Sequence, residues 1–354
     1  MSLASSMLVQ KGNVMIQKVL VTGASGYIAK HIVLQLLNGG YNVRGSVRSD
    51  KRAEEVRAAM AAHLDDKSAL ERLEFVELDL TDDAGWDAAL LDIDVLMHTA
   101  SPFPLADPKN ADDLIRPAVD GSLRALKAAK KMGVARVVLT SSTVAIMYKD
   151  KPENGAIFTE NDWSDIDHPS CAVYGQSKTL AEQAAWDFCA KNPEIQLTTI
   201  NPSLVLGPPL DTNIGSSLSI IGRVLSGKDP AVPRLSFPIV DVRDTAKMHV
   251  AALENSNSIG QRFIGAAGSM WFVDIAQLVK EICPDRKITT RVAPNWLMRI
   301  MALWDGAIRG IVPVLGHEVL VDANAARKVL GVDFISNTQT ITDTVQHLLD
   351  NDLA

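Results

Sequence analysis

Cysteine is scarce: Cys171, Cys189 and Cys283 are the only three in 354 residues, an odd number without C-x-x-C spacing. That excludes a disulfide framework and a zinc ribbon, and it points to a reducing, cytoplasmic setting. A metal-ligand set is missing as well. His168 and Cys171 stand three apart, but nothing among the seven histidines supplies a second pair, so the segment reads as a surface loop and no metal is expected. Basic excess is absent, since 35 Lys+Arg against 42 Asp+Glu leaves a net charge of −7. No global field then draws the chain to nucleic acid or anionic lipid. A long uninterrupted apolar run is also lacking. The most membrane-like stretch, 296–316, contains Arg299, Asp305, Arg309 and Pro313, so no membrane span is expected. The first residues lack a basic cluster followed by an apolar core, and no secretory signal is read there. What remains is 47% hydrophobic and 22% charged, the composition of an ordinary folded, water-soluble protein. The length suits one large domain or two intimately joined ones.

Past a loose extension over 1–15, short Val- and Ile-rich runs alternate with stretches of helical spacing. The runs KVLVTG, YNVRGSV, LEFVELD, DVLMHTAS, ARVVLTSS and QLTTINPSLVLG predict six strands, with helices near 52–62, 112–132 and 174–191. In IAKHIVLQLLNGG, Ile28, Ile32, Val33, Leu36 and Leu37 share one helical face before a Gly-Gly stop. This alternation is that of βαβ units in an α/β fold, a doubly wound parallel sheet of Rossmann type. After residue 207 the regularity loosens, and PP, GKDP and VPRLSFP read as turns, with FVDIAQLVKEIC and TQTITDTVQHLLD as peripheral helices. The expected division is a nucleotide-binding domain over 16–207 and a smaller substrate domain over 208–354, part of 237–265 returning to the first. Trp296, Ile300, Met301 and Trp304 follow helical spacing and read as packing residues of the second domain, with a lid as the lesser alternative.

Two constellations carry chemistry. Thr22-Gly23-Ala24-Ser25-Gly26-Tyr27-Ile28-Ala29 lies between a strand and a helix. Gly23 permits the tight turn, Gly26 lets a pyrophosphate approach the backbone, and Ala29 lets the helix pack close. The second strand ends in Arg44, Ser46 and Arg48 with no acid among them. An acid there would bond a ribose hydroxyl, whereas a guanidinium suits a 2′-phosphate. Arg48, with Arg44 as fallback, therefore reads as an NADP(H) contact. Tyr174 and Lys178 are four apart on a predicted helix and share a face. Thr140-Ser141-Ser142 ends the fifth strand at the sheet edge where ligands bind. Cys171 stands close enough in sequence to line that cleft or to be a small buried hydrophobe, and His98 reads as a satisfied core histidine.

In that order and spacing, these elements resemble the extended branch of the short-chain dehydrogenase/reductase superfamily, from Gln17 to about Leu349. VTGASGYIAKHIV, YNVRGSVRS, VLTSSTVA and YGQSKTLAEQAAW are similar to the dihydroflavonol reductase group, which includes plant cinnamoyl-CoA reductases and yeast NADPH-dependent aldehyde reductases. The resemblance implies catalysis by Ser142, Tyr174 and Lys178, the 2′-phosphate at Arg48, the adenine at Asp79 and Leu80, and the nicotinamide beside Pro202 and Val205. Thr22, Gly23, Ser25, Gly26, Tyr27, Ile28, Thr99 and Ala100 complete the expected cofactor contacts. Two departures bear on substrate. The position five after the serine, an Asn in plant dihydroflavonol reductases, is Met147, and the stretch 171–178 departs from the Asn-Trp-Cys-Tyr-Gly-Lys string of cinnamoyl-CoA reductases. The expected activity is reversible NADPH-dependent reduction of an aldehyde or ketone bearing an apolar or aromatic group, by a monomer or homodimer. A hydroxysteroid dehydrogenase, an NAD-dependent sugar-nucleotide epimerase and a non-catalytic NADP-binding redox sensor are the alternatives.

Overall fold

A computed structural model of the chain describes residues 10–11, 14–15, 18–101, 110–150 and 157–353. The extension expected over 1–15 lies outside the described residues except where Gln10–Lys11 pairs with Val14–Met15. The strands, in chain order, are β1 (Lys18–Thr22), β2 (Asn42–Val47), β3 (Leu73–Glu77), β4 (Val95–His98), β5 (Arg136–Thr140) and β6 (Gln196–Pro202). β7 (Leu204–Leu206), β8 (Ser236–Asp241), β9 (Arg262–Gly265) and β10 (Gly268–Trp271) follow. Between the early strands lie α1 (Tyr27–Asn38), α2 (Asp50–His63), α3 (Trp86–Leu90), α4 (Asp112–Lys131) and α5 (Val173–Lys191). Later come α6 (Ser219–Ser226), α7 (Val242–Glu254), α8 (Phe272–Ile282), α9 (Asn295–Met301), α10 (Gly306–Ile311), α11 (Asn324–Leu330) and α12 (Asn337–Asp350).

The main sheet is parallel, in the order β9-β6-β5-β4-β1-β2-β3. Helices on both faces cover the sheet and bury its inner strands: Val19, Leu20 and Val21 of β1 are wholly buried. From β1 the chain runs outward through β2 and β3, then crosses back to β4 on the other flank of β1. A crevice opens where the order reverses, past the C-terminal ends of β1 and β4.

The sheet has seven strands where six were expected. β9 is four residues long, too short for a periodic signal, and pairs with β6 from far along the chain. The run QLTTINPSLVLG is two strands. Pro202 has no N–H to continue the ladder, and Ser203 donates instead to Gly265 O. β7 then joins a second sheet, pairing parallel to β8, which pairs antiparallel with β10. The helices α6, α8 and α12 pack on this second sheet through Ile221, Ile275, Val279, Ile341 and Val345, all fully buried, so α8 and α12 are core elements of this part of the chain.

The reading of Trp296, Ile300, Met301 and Trp304 as packing residues is corrected. They are 64%, 44%, 42% and 78% exposed, and of α9 only Met298 is buried. A helix of seven residues presents only one inward position per turn, and Met298 takes it. No helix among the described residues is long and apolar enough to cross a membrane.

Candidate active site

The crevice begins at the β1–α1 turn. Gly23 adopts φ +63°, and a Cβ there would come within 3.1 Å of Ala100, so glycine is required by conformation and by space. Ser46 of β2 fixes the turn, its hydroxyl accepting from Gly23 N at 3.0 Å and its carbonyl from Ala24 N at 2.9 Å. Gly26 caps α1 with no side-chain bond, and the first turn carries no acid. The orphan amides of the helix therefore face the crevice, an arrangement suited to a phosphate.

Thr22 ties this turn to the end of β4. Its Oγ1 accepts from Thr99 N and Ala100 N, at 3.0 and 3.1 Å, and lies 2.9 Å from His98 Nδ1. With those acceptances made, the hydroxyl proton goes to Nδ1, which leaves the imidazole neutral with its proton on Nε2. Burial pushes the His98 pKa down to about 3, with the charge of Lys178 acting in the same direction. His98 is thus a core histidine satisfied at Nδ1, while Nε2 finds no partner among the described residues.

At one end, a cavity of about 490 Å³ is lined by Ser25, Ser46, Arg48, Asp79, Leu80 and Thr81, among others. Arg48 is exposed at its rim. Asp79 is held below the usual carboxylate range by hydrogen bonds from Thr81, and Arg48 adds to this. Arg44 is elsewhere. Its guanidinium pairs with Glu74 and donates to Ala89 O and Leu91 O at 2.9 and 2.8 Å, because Arg44 sits midway along β2, beside Glu74 of β3 and short of the C-terminal end where the crevice opens. The fallback role for Arg44 is therefore corrected: it pins the sheet edge to the end of α3.

At the other end, a cavity of about 590 Å³ holds Ser142, Tyr174, Lys178, Pro202 and Val205, together with Tyr27 and Ile28 of α1. Both cavities include Gly23, Gly26, Thr99 and Ser101, so they form one cleft across the switch point. Ser142 caps a short 3₁₀ turn, its Oγ accepting from Val144 N at 3.3 Å. Burial raises the Tyr174 phenol well above its ordinary value, and a hydrogen bond with Ser142 opposes that rise. Lys178, one turn on, lies 5.9 Å from the Tyr174 ring, and burial lowers its pKa to about 8. A neutral phenol and a cation beside it are a proton donor and the charge that eases its loss. The Tyr27 hydroxyl donates to Gly207 O at 2.7 Å, so this motif residue also fastens the nucleotide-binding turn to the second half of the chain. Cys171 does not line the cleft; its Sγ sits 3.0 Å from where a Gly175 Cβ would be.

Sequence reasoning missed the apolar wall: Leu204, Ile220, Phe237, Pro238 and the Tyr148 ring. Phe237 and Pro238 fell in a segment read as a turn, whereas it is the start of β8. Tyr148 lies six residues past Ser142, and its distance from the motif left no spacing to follow.

A Rossmann-type sheet with a Tyr-x-x-x-Lys helix at its switch point defines a class of nucleotide-dependent enzymes, and the comparisons agree. Residues 19–264 match the NAD dependent epimerase/dehydratase family, and the chain belongs to it. It is 32% identical over 342 residues to cinnamoyl-CoA reductase CAD2 of Medicago truncatula, covering 95% of this chain and 97% of that one. It is 30% identical over 359 residues to the NADPH-dependent methylglyoxal reductase GRE2 of Saccharomyces cerevisiae, covering 94% and 98%. The solved structure of Gre2 from Candida albicans in complex with NADPH matches with a TM-score of 0.79 and 30% identity, over 94% of this chain and 99% of that one.

Proposed function

We propose that the chain is an NADPH-dependent carbonyl reductase that converts an aldehyde or ketone with an apolar or aromatic group to the alcohol. The observation that carries this reading is the single cleft running from Arg48 to Tyr174 past the Gly23–Gly26 turn. The residues present fit the dinucleotide: Gly23 leaves a cradle, the amides of α1 lack a capping side chain, and Arg48 stands at the rim with no acid beside it in β2. When bound, the nicotinamide supplies hydride to the carbonyl carbon.

The chain's own residues do the rest. Arg48 donates to the 2′-phosphate, Asp79 and Leu80 flank the adenine, Thr99 and Ala100 border the dinucleotide beside the Gly23 turn, and Pro202 and Val205 border the nicotinamide end. Ser142 Oγ orients the carbonyl oxygen, and Tyr174 gives it the phenolic proton as negative charge develops. The Lys178 ammonium holds the ribose and stabilises the phenolate that the transfer leaves. Residues 16–207, joined by part of 237–265, serve the dinucleotide, while the rest of 208–354 closes the apolar wall around the substrate. Relatives named for methylglyoxal and for cinnamoyl-CoA support the reductase class.

Mixing purified protein with NADPH and a panel of methylglyoxal, cinnamaldehyde, a steroid ketone and cinnamoyl-CoA, while following loss of reduced-nicotinamide absorbance, tests the reading. Turnover of an aldehyde or ketone is expected. Binding of NADPH without consumption of any of them would leave the non-catalytic alternative standing.

A further inference from the structure

One turn below Lys178 on α5, Glu182 is 1% exposed and accepts hydrogen bonds from several elements at once. Its Oε2 accepts from Ser141 Oγ at 2.5 Å and Asn201 Nδ2 at 2.7 Å; its Oε1 accepts from Arg262 Nε at 2.7 Å and Trp186 Nε1 at 3.2 Å, with Thr199 Oγ1 at 3.1 Å. These partners come from the end of β5, from β6, from β9 and from α5 itself. None of them is needed to complete the sheet.

Arg262 extends the frame. Its Nη1 donates to Glu160 O and Asp162 O, each at 2.7 Å, and its guanidinium lies 3.8 Å from the Trp163 ring. The loop so held carries Ser164, whose hydroxyl donates to Val144 O at 2.7 Å and accepts from Tyr148 N at 2.8 Å. Asn201, held by Glu182, also donates to Ser142 O at 3.3 Å. The Ser142 turn is therefore gripped from both sides by groups that end on one carboxylate.

A buried ion pair is a weak source of net stability, since desolvation offsets the attraction. Its placement here points to another use. We propose that Glu182, clamped by Arg262, is a positioning residue for the reaction: it locks the Ser142 turn to the helix bearing Tyr174 and Lys178 and supplies the counter-charge for Lys178. The titratable groups facing that ammonium are Tyr174 and Glu182 on its own helix and His98 from β4. His98 is neutral, so Glu182 is the charge that offsets burial of the lysine, and it raises the lysine pKa against the dominant effect of burial.

The inference rests on the reductase reading, and the test separates the two. In cofactor-free protein labelled at lysine, NMR follows the Lys178 titration, assigned by its loss in Lys178→Ala. With Glu182→Gln, Lys178 is expected to titrate roughly one pH unit lower, as for removal of a close opposite charge. With NADPH and methylglyoxal, kcat should fall roughly 10- to 100-fold through misplaced groups, the alkaline limb of the profile should move to lower pH, and NADPH affinity should stay within about threefold. Ser141→Ala, which leaves the ion pair intact, should lower kcat several-fold. A folded Glu182→Gln protein with unchanged lysine titration overturns the counter-charge, and one with unchanged kcat overturns the positioning. If Glu182→Gln does not fold, Ser141→Ala with wild-type kcat and profile overturns the proposal. Wild-type protein that fails to consume NADPH overturns the reductase reading instead, with the titration still deciding the electrostatic part.

Discussion

The two ends of the cleft are built differently. The nucleotide end is made of backbone: Gly23 at φ +63°, the uncapped amides of α1, and the Ser46 and Thr22 bonds that fix the turn. The substrate end is made of side chains drawn from β7, β8, α6 and the Ser142 turn, elements far apart in the chain. Backbone shape demands particular residue types at fixed spacing, whereas an apolar wall accepts any combination of the right volume. The first end is therefore tied to particular residues at fixed spacing, while the second can change its side chains without changing the fold.

The sharpest way to break this comparison is at the point where the ends meet. Tyr174→Phe removes the proton donor and little packing surface, so kcat should fall by about 10²–10⁴-fold with NADPH affinity unchanged. Kinetics alongside a cofactor titration check this, and a variant keeping more than about a tenth of kcat contradicts the assignment. At the nucleotide end, Arg48→Ala should lower kcat/KM for NADPH roughly 10- to 150-fold, the worth of a charge-assisted hydrogen bond, and leave NADH within a few-fold. Equal losses with both cofactors would mean that Arg48 supports the strand turn.

The β1–α1 turn and the Tyr174–Lys178 pair are legible in the sequence because each is written as short-range spacing. Gly23 to Ala29, and Tyr174 to Lys178, each fall within two helical turns. The apolar wall was not legible. Phe237 lies in SFPIVD, where two prolines nearby suggested turns, yet Pro238 sits in β8 paired with Ser269. β9 was invisible because its partner β6 lies some sixty residues upstream and its burial comes from that pairing. Arg44 and Arg48 look equivalent in sequence; only their places along the strand, Arg44 midway beside Glu74 and the carbonyls at the end of α3 and Arg48 just past the strand's end, separate a sheet-edge pin from a rim cation.

The remaining predictions sharpen the difference with smaller effects. Phe237→Ala opens the substrate wall and should raise KM for an aromatic aldehyde about fivefold, from partial loss of apolar burial, with NADPH affinity unmoved; a matched loss of cofactor binding would show that the ends are not separate. Asp244 of α7 is buried, and burial lifts its pKa to about 6. The folded state thus resists ionisation of a group that ionises near 4 when unfolded, so its contribution to stability declines as pH rises from about 4 to about 6. Asp244→Asn should flatten that part of the Tm profile relative to wild type, and an unchanged slope would contradict it. Smallest of all, Arg44→Ala should leave NADPH affinity within about twofold, costing only modest stability through its lost contacts with Glu74 and the end of α3.

The most direct measurement uses NADPH deuterated at the transferring carbon, incubated with the protein and methylglyoxal, followed by mass analysis of both products. The account predicts deuterium on the alcohol carbon and oxidised nucleotide released, both lost in Tyr174→Phe although NADPH still binds. With both hydrogens of that carbon replaced by deuterium, alcohol formed without deuterium, or alcohol formed at an undiminished rate by Tyr174→Phe, would contradict it.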